Sequence, residues 1–442
     1  MFIVNAILAI LTILLVLLSV VNSARNGFYD IIPGLIAGVL VFIAMPLVMV
    51  FAFGEIPPSF LSIDTLTLHE DNGIYFFIFL FVSLILLVNV LTKKVNFTLK
   101  PIIDKSINDK CTDIFAFLVI GLYFFLTVII VLSTNKISGG HWNEASQDMY
   151  ENSLVSVVLG NFSNVYRVIY PMILALLRVD CKISKKTYSI LLLLYLVIEL
   201  VFVNNRIVVM FAVMSLAYVN KKRLVRFSLA CMIISPFVAF INYAYPIARG
   251  LMWVNGFSIQ GISDAFSLAI AYRMNERSNG EGSFFAEIFN NLFEAFNMNV
   301  FKYVYNTFGH IHDFYYGKTV LLRSFSFFIP SSIWPGKPAG IGVNLGNMIT
   351  GENILTLNST PLGEFYGNFG WYSLIFAPAL FFIIWLISRP LLGVKSMSFC
   401  LFMISFAALR FDFSFIMISI FTLYVTTLMT LAIYLFRYPS LR

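Results

Sequence analysis

IYFFIFLFVSLILLVNVL, residues 74–91, is an eighteen-residue run without one charged side chain. As an α-helix rising about 1.5 Å per residue, it nearly matches the apolar thickness of a bilayer, about 30 Å. A helix also satisfies its own backbone polar groups, which lipid demands. Runs of this kind recur along the chain. Eleven helices are expected, near 2–21, 31–53, 74–91, 114–133, 153–176, 188–204, 207–219, 226–244, 363–386, 397–410 and 414–435. The predicted fold class is therefore all-α: a polytopic integral membrane protein.

Composition agrees. The 442 residues are 60% hydrophobic and 12% charged, with mean hydropathy +0.88, whereas soluble proteins carry about 25% charged residues. The net charge of +7 does not point to nucleic acid, because the basic residues sit in short loops between spans, where topology accounts for them. Cys111, Cys181, Cys231 and Cys400 are scattered and form no CxxC pair, so neither a metal cluster nor a structural disulfide is expected. The run from Phe2 has no basic leader and is read as a retained span, not a signal peptide.

Loop charge orients the spans. Loops 92–113, 177–187, 220–225 and 387–396 hold five, four, three and two Lys/Arg, while 54–73, 134–152, 205–206 and 410–413 hold none, one, one and one. The positive-inside rule then places the N-terminus outside and the C-terminus inside. The chain divides into helices at 1–244, a long external segment at 245–362 and the last helices at 363–442. The segment is too long for a connector. Residues 283–308 read as an amphipathic helix near the membrane surface. FFIPSSIWPGKPAGIG (327–342) follows, in which Pro330, Pro335 and Pro338 forbid a helix around Lys337. No internal duplication of the span pattern is visible, which argues against a transporter built from repeats.

Four arginines occupy costly positions. Arg206 is at the outer turn of 188–219, Arg249 follows 226–244 in YAYPIARG, Arg410 ends 397–410 in ALRFDF, and Arg167 lies inside a span in NFSNVYRVIY. Intramembrane charge generally faces a cavity or pairs, and guanidinium groups bind phosphate bidentately. Arg206, Arg249 and Arg410 are expected to converge on one outer vestibule. The competing reading is that each reaches the headgroups or pairs locally, as Arg410 would with Asp412. Arg167 follows Asn161 and Asn164 on a similar face, a plausible polar stripe. Glu364, in STPLGEFYGNFG, is the first candidate base, although an acid near a helix N-terminus is also an ordinary dipole partner. HIHD (310–313) lacks a third metal ligand and reads as a solvated loop. No P-loop, GxSxG elbow, HExxH or DxD pair is present, and no cofactor is expected.

NNR (204–206), ARG (248–250), IPSSIWPGKP (329–338), GEFYGNFGW (363–371) and LRFDF (409–413), in that order and topology, together resemble the bacterial O-antigen polymerase family over roughly residues 200–415. The resemblance implies a GT-C-like glycosyltransferase of the bacterial inner membrane, working at the periplasmic face in lipopolysaccharide biosynthesis. It would move a growing glycan from polyprenyl (undecaprenyl) diphosphate onto a lipid-linked repeat unit, without metal and with inversion. Its implied partners are polyprenyl-diphosphate-linked oligosaccharides, membrane lipid and a separate chain-length regulator. Carried onto this chain, Arg206 and Arg249 would hold the donor diphosphate, Arg410 the second diphosphate, and Arg167 and Lys337 would add positive charge. Glu364 would take the acceptor proton, with Asp412 the alternate. Trp334, Phe327 and Phe328 would suit sugar faces or lipid.

Two rivals remain. An O-antigen ligase shares this architecture, but the histidine expected ahead of the late helix is missing: Ser359-Thr360 stand there. A flippase for lipid-linked oligosaccharides would have shorter loops than 245–362 and repeat symmetry.

Overall fold

The computed structural model describes the chain apart from residues 26–29, 57–62, 96–99, 104–106, 134–153, 204–206, 221–242, 246, 249, 253–258, 279–283, 352–355, 395 and 439–442. Among the described residues there is no strand, and the helices run in this order: α1 (Phe2–Arg25), α2 (Ile31–Val39), α3 (Met45–Phe53), α4 (Asn72–Lys94), α5 (Asn108–Ser133), α6 (Leu154–Val179), α7 (Lys185–Val197), α8 (Val208–Val219), α9 (Ile259–Ser278), α10 (Phe284–Phe293), α11 (Phe296–Thr307), α12 (Arg323–Ser326), α13 (Ile341–Thr350), α14 (Thr360–Phe369), α15 (Ser373–Ser388), α16 (Met397–Ala408) and α17 (Ser414–Arg437). Among the described residues seven stretches are long and apolar enough to cross a membrane, and α8 and α16 are shorter apolar helices. The protein is thus a multi-pass membrane protein. The span expected at 226–244 lies almost wholly outside the described residues.

Local chemistry sets the helix limits. Asp71 caps α4 by accepting from Gly73 N–H, and Lys93 and Lys94 lie in its last turn, where cations complement the helix dipole. A π-turn at Leu40–Ala44 joins α2 to α3, with Met45 N–H reaching Leu40 O. Pro46 follows directly; with no N–H to give, it leaves a local mismatch that the wider turn absorbs. In α6, Pro171 has no N–H for the carbonyl four residues earlier. That carbonyl belongs to Arg167, and Tyr195 OH donates to it at 3.0 Å, so a side chain replaces the lost helix bond.

The described chain forms two units. The first comprises Met1–Asn108, Phe293–Phe327 and Pro335–Thr427; the second Asp109–Leu292, Phe328–Trp334 and Leu428–Arg442. These boundaries cut through 245–362, so that segment is not a separate body. The expected helix over 283–308 is two helices with a break at Glu294-Ala295. In the first unit α11 packs inward: Asn299, Val300, Phe301, Lys302 and Val304 are all buried.

Within the first unit, polar contacts sort the loops into two ends. At one end Arg389 pairs with Asp30 at 3.4 Å and Ile102 N–H donates to Pro390 O at 2.9 Å. At the other, Asn5 Nδ2 donates to Leu68 O and Glu70 O at 3.0 and 2.9 Å. There Asn299 Oδ1 accepts from Leu66 N–H at 2.8 Å, and Lys302 Nζ bonds Thr65 O at 2.9 Å and Glu70 Oε1 at 2.7 Å. The first group joins loops 92–113 and 387–396, which charge counting assigns to the inside, and the second joins loop 54–73 to the long segment, both assigned to the outside.

Helix α2 crosses α16 at close range. A Cβ on Gly34 would overlap Ser405 Oγ and Phe402 O, and one on Gly38 would stand 2.9 Å from Leu409 Cγ. The two glycines form a small-xxx-small stripe that lets backbones approach. Gly34→Leu is expected to lower stability by about 1–3 kcal/mol or more, read as thermal unfolding of the detergent-solubilised protein. Unchanged unfolding would mean that these helices do not pack this closely.

Candidate functional site

Glu364 lies on α14, whose first turn holds Pro361, a residue preorganised for a helix start. Thr360 just before it has φ +56°, a region that β-branched residues avoid, and its N–H is held by Asn358 Oδ1 at 2.8 Å. At the far end, Tyr315 and Tyr316 N–H groups satisfy Gly367 O and Asn368 O at 2.9 and 3.0 Å, covering carbonyls that the helix cannot. Asn368 Nδ2 bridges Thr319 Oγ1 at 2.6 Å and Glu364 O at 2.7 Å. The segment around 315–319 is thereby locked onto α14.

This frame leaves the Glu364 side chain buried. Its Oε2 accepts from Phe413 N–H at 2.5 Å, at the start of α17. Thr319 also interacts with the carboxylate, and Asp412 and Arg323 act on it through their charges. Asp412, in the turn between α16 and α17, has its Oδ2 4.0 Å from Arg323 Nε. Burial pushes the Asp412 carboxyl above its ordinary range, while Arg323 and the Gly342 N–H pull it down. Arg323 Nη1 donates to Pro338 O at 3.1 Å, clamping the proline knuckle. Lys337 Nζ donates to Phe327 O at 3.3 Å. Burial first, and the Arg323 charge second, lower its pKa to about 8. Two carboxylates and two cations therefore share one neighbourhood of the first unit.

Arg410 is at the same turn, but its Nε donates to Glu294 Oε1 at 2.7 Å, so it pairs with Glu294, far along the chain. Glu294 has φ +47° at the break between α10 and α11. Phe327 is nearly buried and packs edge-on against Phe421, centroids 5.5 Å apart, so it does not present a sugar-facing ring.

Arg167 belongs to the second unit. Its Nε lies 2.7 Å from Glu199 Oε2 and its Nη1 2.7 Å from Asn164 Oδ1, which realises part of the expected polar stripe. Tyr123 OH donates to Glu199 Oε1 at 3.0 Å. The rings of Tyr123, Tyr170 and Tyr195 pack around the pair with centroids 4.3–5.7 Å apart. Glu199 is on a π-helical stretch, Ile198–Val203, that continues α7; such turns recur at functional positions.

Arg206 and Arg249 lie outside the described residues, so their convergence with Arg410 stays an expectation. HIHD forms a turn in which the N–H groups of His310, Ile311 and His312 all face Thr307 O. Among the described residues no three His, Cys, Asp or Glu side chains are grouped to hold a metal. The sequence reading missed two residues. Arg323 is one of seven Lys/Arg in the 245–362 segment, and nothing local marks it as the Asp412 partner. Glu199 had a visible signal, an acid within an apolar run. Comparisons of the chain with protein-family models, curated proteins and solved structures find no match.

Proposed function

We propose that this chain is a membrane-embedded glycosyltransferase, an O-antigen or surface-polysaccharide polymerase, as the motif resemblance implies. It transfers a growing glycan from polyprenyl diphosphate to a lipid-linked repeat unit at the periplasmic face of the bacterial inner membrane. The observation that carries this reading is the grouping of Arg323 and Lys337 with Asp412 and Glu364, beside helices long enough to span a bilayer. Cations are needed where the diphosphate leaves, and a carboxylate is needed where the acceptor hydroxyl loses its proton.

In this reading the acceptor oxygen attacks the anomeric carbon from the face opposite the leaving group. The bond from that carbon to phosphate oxygen breaks, and the lipid diphosphate departs with the electron pair. The proton passes to Glu364, with Asp412 the alternate. Arg323 and Lys337 stabilise the charge on the diphosphate, with Arg206, Arg249 and Arg410 the further cations that the resemblance nominates. A GT-C-like architecture and a chain-length regulator as partner belong to the same proposal.

The test is the surface-glycan ladder of cells lacking the chain, against the same cells complemented with it. Loss of the ladder, with single repeat units still reaching the lipid core, is the expected result. No repeat unit on the core would favour a flippase, or a ligase if polymer accumulates on the lipid carrier. An unchanged ladder would sink the reading.

A further inference from the structure

Helix α13 begins at Gly340, which has no side chain to cap it. The polar group beside that start comes from far along the chain: the Asp412 carboxylate lies against Gly340, where the Gly342 N–H favours its charged form. Gly340 makes room for it, since a Cβ there would overlap Asp412 Oδ2 and stand 3.2 Å from Arg323 Cζ. Yet Asp412 uses its surroundings incompletely. Arg323 Nε is 4.0 Å away, beyond hydrogen-bond range, and Arg323 turns Nη1 to Pro338 O. Lys337 is close enough to Arg323 for their charges to oppose each other and bonds a backbone carbonyl. The other carboxylate in range, Glu364, is buried and spends Oε2 on Phe413 N–H. Asp412 and Arg323 keep 24% and 29% of their side-chain surface exposed, so a solute can reach them.

One cation, Arg323, with Lys337 beyond it, and the start of a ten-residue helix thus stand beside one loosely held carboxylate. We propose that Asp412 is a place-holding anion: without ligand it holds the start of α13 and Arg323 in position, and phosphate oxygens of the substrate's diphosphate displace it there. A phosphate brings more charge and more acceptors than a carboxylate and matches both a helix N-terminus and a guanidinium fork. The displaced carboxylate returns when the product leaves, so the site does not collapse between turnovers. Asp412 is then a positioning residue, a task different from proton transfer. The ligand's identity as a lipid diphosphate rests on the proposed function; the anion site rests on the geometry.

The test is calorimetric titration of the full chain, in phosphatidylcholine nanodiscs, with inorganic diphosphate. Asp412→Asn keeps an acceptor for Gly342 N–H but removes the competing charge, and is expected to bind about fivefold tighter than wild type. Arg323→Gln is expected to bind about tenfold weaker or worse, and the double variant to follow it. Equal or weaker binding by Asp412→Asn, or indifference to Arg323→Gln, overturns the proposal. A purely structural cap could only lose affinity. Should Asp412→Asn fail to yield folded protein, Asp412→Ser is judged by the same criterion. Phosphatidylglycerol nanodiscs are expected to leave the affinity unchanged; abolished binding there would assign the site to lipid headgroups and overturn the substrate assignment. The two readings fail separately: an intact ladder on deletion removes the polymerase alone, and the wrong affinity order removes the place-holder alone.

Discussion

Glu364→Gln is expected to leave the protein folded and reduce glycan transfer about 10²- to 10⁴-fold, the usual contribution of a positioned general base. The choice of glutamine matters. Glu364 Oε2 is the acceptor for Phe413 N–H, at the start of α17, and a glutamine oxygen can accept that bond in nearly the same place. Alanine would instead leave a buried donor unmet, at about 1–3 kcal/mol, and its loss of activity would be ambiguous. The readout is the glycan ladder together with protein level and thermal unfolding in detergent. A stable Gln variant with a full ladder would make Glu364 a tertiary cap for α17 and nothing more. A destabilised Gln variant would show that the negative charge, and not only the acceptor oxygen, holds the turn at 410–413.

Which parts of this arrangement the amino-acid order reveals follows from the range of the forces involved. Membrane helices are legible because each depends on its own apolar run: 74–91 lies within Asn72–Lys94 and 31–53 within the continuous Ile31–Phe53. Within the first unit, Arg389 of loop 387–396 meets Asp30, and Lys302 meets Glu70 of loop 54–73, which agrees with loops 387–396 and 54–73 lying on different sides. Helix α9 was not foreseen, because its apolar residues are spread round the helix rather than confined to one face. The site was half legible. Glu364, Asp412 and Lys337 stand out as charges beside greasy runs. Their pairings do not, because Arg410 meets Glu294 and Asp412 meets Arg323 across long stretches of chain, and nothing local encodes such partners. The break at Glu294-Ala295, which turns Glu294 toward Arg410, was hidden inside what reads as one amphipathic helix.

Arg167→Met is expected to destabilise the protein by about 3–5 kcal/mol, and the double variant Arg167→Met, Glu199→Leu to recover much of that loss. Glu199 is wholly buried and Arg167 nearly so, 2.7 Å apart, within helices of a membrane protein. Their mutual attraction offsets the cost of removing two charges from water; deleting one partner leaves the other uncompensated. Tyr123 OH and Asn164 Oδ1 each hold one member of the pair, but neither can neutralise it. Arg167 is also the residue whose carbonyl Pro171 strips of its helix donor and Tyr195 serves instead. Unfolding of all four chains of the double-mutant cycle in the same detergent measures the coupling. Strong recovery in the double variant, with the glycan ladder intact, would make the pair an internal brace that apolar side chains can replace. Recovery of stability with loss of the ladder would instead show that the charges themselves serve transfer, placing a working residue in the second unit. Additive losses would mean that the two side chains are not paired in the folded protein.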